Sequence, residues 1–131
     1  MPRIMVIDDD PTMLTFISGL LEASCHSVVV AQDGRAGIKA FETDRFDLVI
    51  TDIVMPEQEG IATIGALRRL SPTVPIVAIS ASRTVGRYGD YLHAAKLLGA
   101  NVALAKPFTA DALMEIVGRL LASPGPGEPL N

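Results

Sequence analysis

The feature that most constrains this chain is a set of five short apolar runs that do not alternate with polar residues: Ile4-Met5-Val6-Ile7, Val28-Val29-Val30, Leu48-Val49-Ile50, Ile76-Val77-Ala78-Ile79 and Val102-Ala103-Leu104. Each has strand length and most are rich in β-branched residues, the pattern of strands covered on both faces in a parallel sheet. Helix-length segments separate them. The first is predicted from about Pro11 to Ser24, with Asp10 as N-cap and Pro11 at the first helical position. Its residues Met13, Phe16, Ile17, Leu20 and Leu21 recur at the spacing of one helical face. The last is predicted from about Ala110 to Leu121 behind Thr109, and Leu113, Ile116, Val117, Leu120 and Leu121 repeat that spacing. Further helices are predicted near 34–44, 60–70 and 90–98. Strands alternating with helices in this way predict an α/β fold with a parallel sheet and right-handed crossovers.

The rest of the composition narrows the class. A chain of 131 residues can bury roughly two thirds of its unfolded surface, so it needs no disulfide or structural metal to fold. With 49% hydrophobic and 20% charged residues it does not belong to the disordered classes. The single cysteine, Cys25, excludes a disulfide framework and a multi-cysteine zinc site, and fits a reducing compartment. Fifteen acidic against 11 basic residues give a net charge of −4, which argues against a nucleic-acid-binding domain. No apolar run approaches the ~20 residues that span a bilayer. Three aspartates, Asp8 to Asp10, interrupt any signal-peptide core. The expectation is one cytoplasmic domain over residues 1–122, without membrane or nucleic-acid partners. Residues 123–131, Ser-Pro-Gly-Pro-Gly-Glu-Pro-Leu-Asn, read as a disordered Pro/Gly-rich tail or the start of a linker.

In an open parallel sheet, sites form outside the carboxyl ends of the strands. Asp8, Asp9 and Asp10 follow the first apolar run, Asp52 the third, Ser80 the fourth and Lys106 the fifth, whereas the second ends in the uncharged Ala31-Gln32. If strands one, three, four and five are neighbours, carboxylates, a hydroxyl and an ammonium converge in one cleft. Two carboxylates ~4 Å apart repel by about 4 kcal/mol at an effective dielectric of 20, so such a cleft calls for a cation. An oxygen-only, partly hydrated site suits Mg²⁺. A carboxylate beside Mg²⁺ and a lysine ammonium can accept a phosphoryl group, because both cations neutralise the transferring oxygens. Asp10 taken alone reads as a helix cap.

With these residues in place, the chain resembles a response-regulator receiver domain of two-component signalling over residues 1 to about 122. The resemblance is carried by Asp8-Asp9, Asp52-Ile-Val-Met-Pro56, Ser80-Ala81 and Lys106-Pro107-Phe108, taken with the lengths between them. It implies a flavodoxin-like (βα)5 fold with strand order 2-1-3-4-5 and a switch point between strands one and three. It implies that Asp52 is the phosphoacceptor, that Asp9 binds Mg²⁺ directly, and that Asp8 does so directly or through water. The backbone carbonyl of Val54 would complete the protein ligands, and Ser80 and Lys106 would engage the phosphoryl group. The implied donor is a histidine kinase or histidine phosphotransfer protein, and the output is altered contact with a further, unidentified protein.

Three departures from that family's pattern stand out. Ala103 occupies the position where an aromatic often reports phosphorylation, the connection from Ser82 to Asp90 is long and carries Gly86 and Gly89, and Glu59 replaces the common aspartate before Gly60. The first two suggest that residues 82–91, with Tyr88 and Tyr91, act as the switch. Of the remaining residues, Cys25 reads as a small buried or boundary residue, His26 and His93 as surface residues without metal-ligand spacing, and Arg68-Arg69 as a solvated helix end. Gly34-Arg-Ala-Gly37 is too sparse for a dinucleotide fingerprint. Two competing functions would leave different signatures. An aspartate-nucleophile phosphohydrolase generally has a second carboxylate two residues after the nucleophile, where Val54 stands. A receiver-like binding module independent of phosphorylation would not need the full set Asp8, Asp9, Asp52, Ser80 and Lys106.

Overall fold

The computed structural model describes residues 2–53, 59–81 and 99–122. In chain order they form β1 (Arg3–Ile7), α1 (Pro11–Ala23), β2 (Ser27–Ala31), α2 (Gly34–Thr43), β3 (Leu48–Asp52), α3 (Glu59–Leu70), β4 (Ile76–Ala81), β5 (Val102–Lys106) and α4 (Ala110–Ala122). The strands make one parallel sheet of order β2-β1-β3-β4-β5. The order reverses between β1 and β3, which leaves a crevice at their carboxyl ends. The helix predicted at 90–98 lies outside the described residues.

The apolar runs lack alternation because both faces of the central strands are covered. Met5 and Ile7 of β1, Val49 of β3 and Ile76 and Ala78 of β4 pack with Ile64 and Leu67 of α3. Their neighbours Ile4, Val6, Leu48, Ile50, Val77 and Ile79 face the other way, onto Leu14, Ile17 and Leu21 of α1 and Leu113 and Val117 of α4. A fully buried side chain of this kind contributes about 1.5–3 kcal/mol relative to exposure. β2 is an edge strand with one face less covered, and its Val30 is 49% exposed.

The termini of α1 follow from its flanking residues. Pro11 opens the helix and the Asp10 carboxylate accepts the Thr12 N–H at 3.0 Å. At its end Cys25 takes a left-handed conformation (φ 67°), and the Cys25 and His26 N–H groups donate to the carbonyls of Glu22 and Leu21. Cys25 is exposed, which corrects the buried reading: a residue that reverses the chain beyond a helix has no core to enter. His26 is half-buried rather than superficial. The buried face of α1 is Leu14, Ile17 and Leu21, while Phe16 is 42% exposed and tilts against Phe108 at 6.3 Å. On α2, Asp33 caps the helix through the Ala36 N–H (2.7 Å), and Gly37 lets the backbone approach β1 so closely that a Cβ would stand 2.5 Å from Ile7 Cδ1.

Arg68 differs most from its sequence reading as a solvated helix end. It is half-buried, and its guanidinium donates to the carbonyls of Gly99 (2.9 and 2.8 Å), Ser71 (3.1 Å) and Val74 (2.6 Å) and to Asn101 Oδ1 (2.8 Å). Asn101 Oδ1 also accepts the Ile76 N–H at 2.9 Å. One planar fork thereby fastens the end of α3, the turn before β4 and the start of β5, which sets the last two strands side by side.

Candidate functional site

The parallel register brings the predicted residues to one end of the sheet. Ile7 pairs with Thr51 and Asp52 with Ile79, so Asp8 and Asp52 emerge side by side at the switch point. Ser80 and Ala81 pair with Ala105 and Lys106 on the next strand. Asp8 is 1% exposed and Asp52 5%, whereas Asp9 is exposed at the mouth. One carboxylate oxygen from each of the three lies within 4.8 Å of the others. Lys106 reaches across from β5, with Nζ 3.4 Å from Asp8 Oδ2 and 3.5 Å from Asp52 Oδ2. The peptide bond after it, to Pro107, is cis.

Burial pushes the Asp8 carboxyl above the ordinary carboxylate range, opposed by the Asp10 N–H, which donates to Asp8 Oδ1 at 2.9 Å, and by the Lys106 ammonium. Desolvation leads because a charge in a nearly dry site loses more hydration than one hydrogen bond and one long ion pair restore. Asp10 therefore has a role that sequence reasoning confined to its side chain: its backbone orients a site carboxylate. The turn Asp8-Asp9-Asp10 into a capped helix was the available signal.

Ser80 is 0% exposed and its hydroxyl has no hydrogen-bond partner. An orphaned hydroxyl in a buried position costs on the order of 1–3 kcal/mol, so its presence next to the carboxylates calls for a partner that arrives. The donor set also suits a divalent cation. Three carboxylates and no sulfur or imidazole form a hard, oxygen-only cluster, and a single lysine cannot neutralise all of it. Ala103 is half-buried on β5 opposite Ala78, so no ring fills that position. Val54 and the whole 82–91 segment, including both tyrosines, lie outside the described residues, as does His93.

Fold and site together define a class: a doubly wound parallel α/β domain with a carboxylate cluster and a lysine at its switch point. The family model for the response regulator receiver domain matches residues 4–118, and the chain belongs to that family. Transcription factor SKN7 of Chaetomium thermophilum is 32% identical over 126 residues, covering 92% of this chain and 16% of that protein. Transcriptional regulatory protein PrrA of Mycobacterium tuberculosis is 34% identical over 121 residues, covering 92% of this chain and 49% of the relative. This chain thus spans less than half the length of either relative. Among solved structures, the receiver domain of Francisella response regulator 1452 superimposes with a TM-score of 0.80 at 27% identity, covering 92% of this chain and 97% of the other. The receiver domain of NtrX from Brucella abortus gives a TM-score of 0.83 at 26% identity, covering 92% and 99%. The Asp8–Asp9–Asp52 cluster and its ion pairs with Lys106 lie within the residues that the receiver-domain model matches. No described helix is long and apolar enough to cross a membrane.

Proposed function

We propose that residues 1–122 act as the phosphoacceptor of a two-component or phosphorelay pathway, with a Pro/Gly-rich tail at 123–131, in the cytoplasm. Asp52 is the acceptor. A carboxylate oxygen of Asp52 attacks the phosphorus of a phosphohistidine on a histidine kinase or histidine phosphotransfer protein. The P–O bond forms as the P–N bond breaks, and the departing imidazole takes up a proton. Asp8, Asp9, Asp52 and the carbonyl of Val54 would hold Mg²⁺, which when bound neutralises charge on the transferring oxygens.

The observation that carries this reading is the pairing of a Lys106 ammonium shared between Asp8 and Asp52 with a buried, unpartnered Ser80 hydroxyl. Lys106 needs only to leave Asp52 for the incoming oxygens, and Ser80 gains the acceptor it lacks. Once modified, Asp52 carries a bulkier and more charged group, and the surrounding surface meets an unidentified downstream protein differently. Phosphoramidate, whose P–N bond resembles that of phosphohistidine, tests the proposal. Labelling should require Mg²⁺ and slow at least tenfold in Lys106→Met, and Mg²⁺-independent labelling at the parent rate would refute it.

A further inference from the structure

A second charged feature lies away from the carboxylate cluster, between α2 and α3. The two helices border a groove of about 570 Å³ lined by the small residues Gly34, Ala62 and Ala66, with Arg35 on the α2 side and Arg69 on the α3 side. Both arginines are exposed, and neither forms an ion pair with a described residue. Arg69 folds back along its own helix, with Nη1 3.9 Å from where a side chain on Gly65 would begin. Three other cations are engaged: Arg3 pairs with Asp44 and lies over Phe46, Arg68 is saturated by carbonyls, and Lys106 bridges the acidic site. Among the described residues lining the groove the only acid is Asp33, which accepts the Ala36 N–H through one oxygen, so the lining sets two guanidinium groups against one carboxylate. A chain of net charge −4 thus carries here a groove with a positive excess.

The chemistry of the groove selects its occupant. Guanidinium groups are planar, bidentate donors matched to carboxylates, and glycine and alanine allow a main chain to approach closely. A nucleic acid is the poorer fit: two cations neutralise few phosphates, and the net negative charge repels a polyanion. We propose that the α2–α3 groove is a docking site for an acidic segment of a partner protein, with one carboxylate meeting Arg35 and another Arg69. The groove lies on the sheet face covered by α2 and α3, opposite the Phe16–Phe108 pair. The docking goes beyond the phosphoacceptor reading and does not depend on it.

The test is an NMR titration of the ¹⁵N-labelled full chain with a capped hexaglutamate peptide, alongside hexaglutamine and a short RNA duplex. The expected result is saturable shifts at residues 33–39 and 62–69 with hexaglutamate alone. Affinity should fall about two- to fivefold in Arg35→Gln or Arg69→Gln and about tenfold or more in the double variant. Melting temperatures close to the parent's would show that the variants fold. Shifts confined to the Lys106 end of the sheet, binding unchanged in the double variant, equal binding of hexaglutamine, or tighter binding of the RNA at these residues would each overturn the proposal.

Discussion

Replacing Asp8 by asparagine isolates the cost of concentrating charge at the switch point. Asp8 lies 3.4 Å from the Lys106 ammonium, an attraction of about 5 kcal/mol at an effective dielectric of 20. The buried Asp52 has a carboxylate oxygen within 4.8 Å of it, a repulsion of about 3.5 kcal/mol at that distance, and the exposed Asp9 adds a smaller, solvent-screened share. Attraction and repulsion therefore nearly cancel, and what remains is the burial of an ion that is 1% exposed, a cost of several kcal/mol. Asparagine removes that cost, keeps an oxygen for the Asp10 N–H, and leaves Lys106 paired with Asp52 at 3.5 Å. Without divalent metal at pH 7, Asp8→Asn should stabilise the domain by about 1–3 kcal/mol, a rise of roughly 3–10 °C in melting temperature. The pH dependence fixes the sign. Because the Asp8 pKa is raised in the folded state, its contribution to stability is present below the ordinary carboxylate pKa and lost as pH rises through the raised value. The advantage of the variant should therefore vanish below about pH 4. Added Mg²⁺ should reverse the order, since an ion at a hundred times its Kd stabilises the parent by about 2.7 kcal/mol and the variant by less. Thermal melts in EDTA and in Mg²⁺ across pH 3.5–7.5 measure all of this. An Asp8→Asn protein that melts below its parent in EDTA at pH 7 would refute the electrostatic reasoning.

Other residues give predictions of their own. Ser80→Ala removes a buried hydroxyl without a partner, so the unphosphorylated protein should gain about 1 kcal/mol in urea unfolding while phosphoramidate labelling slows. Arg68→Ala strands the carbonyls of Gly99 and Val74 and Asn101 Oδ1, and should cost about 3 kcal/mol in the same assay. Arg68→Lys should recover only part of that loss, because an ammonium cannot reproduce the fork. Gly37→Ala places a Cβ 2.5 Å from Ile7 Cδ1; overpacking of about 1–3 kcal/mol, less a helix-propensity gain of about 1, should leave a net loss of up to about 2 kcal/mol.

The sheet and its site were legible because their signals are local. An apolar run of β-branched residues marks a buried strand wherever it falls, and the polar residue that ends it marks the strand's carboxyl end. Asp8, Asp52, Ser80 and Lys106 were thus placed by counting along each strand, and strand order then had only to bring them together. Non-local relations were not legible. Val28-Val29-Val30 reads like the other runs, yet position at the sheet edge leaves Val30 half-exposed. Helical periodicity put Phe16 on the apolar face of α1, but the face that packs on the sheet and on Leu113 and Val117 is Leu14, Ile17 and Leu21. Arg68 was missed because its acceptors lie in two loops, as far as 33 residues away at Asn101. Gly99 itself, with φ at 123° and its missing side chain facing Arg68 at 2.8 Å, was the available hint.

The central claim is that Asp52 receives a phosphoryl group in a metal-dependent reaction, and intact-mass spectrometry tests it most directly. Incubation with acetyl phosphate and Mg²⁺ should add one increment of about 80 Da, as expected for a single aspartyl phosphate. The increment should be absent in EDTA and absent in Asp52→Asn. An Asp52→Asn protein labelled as fully as the parent would contradict the account.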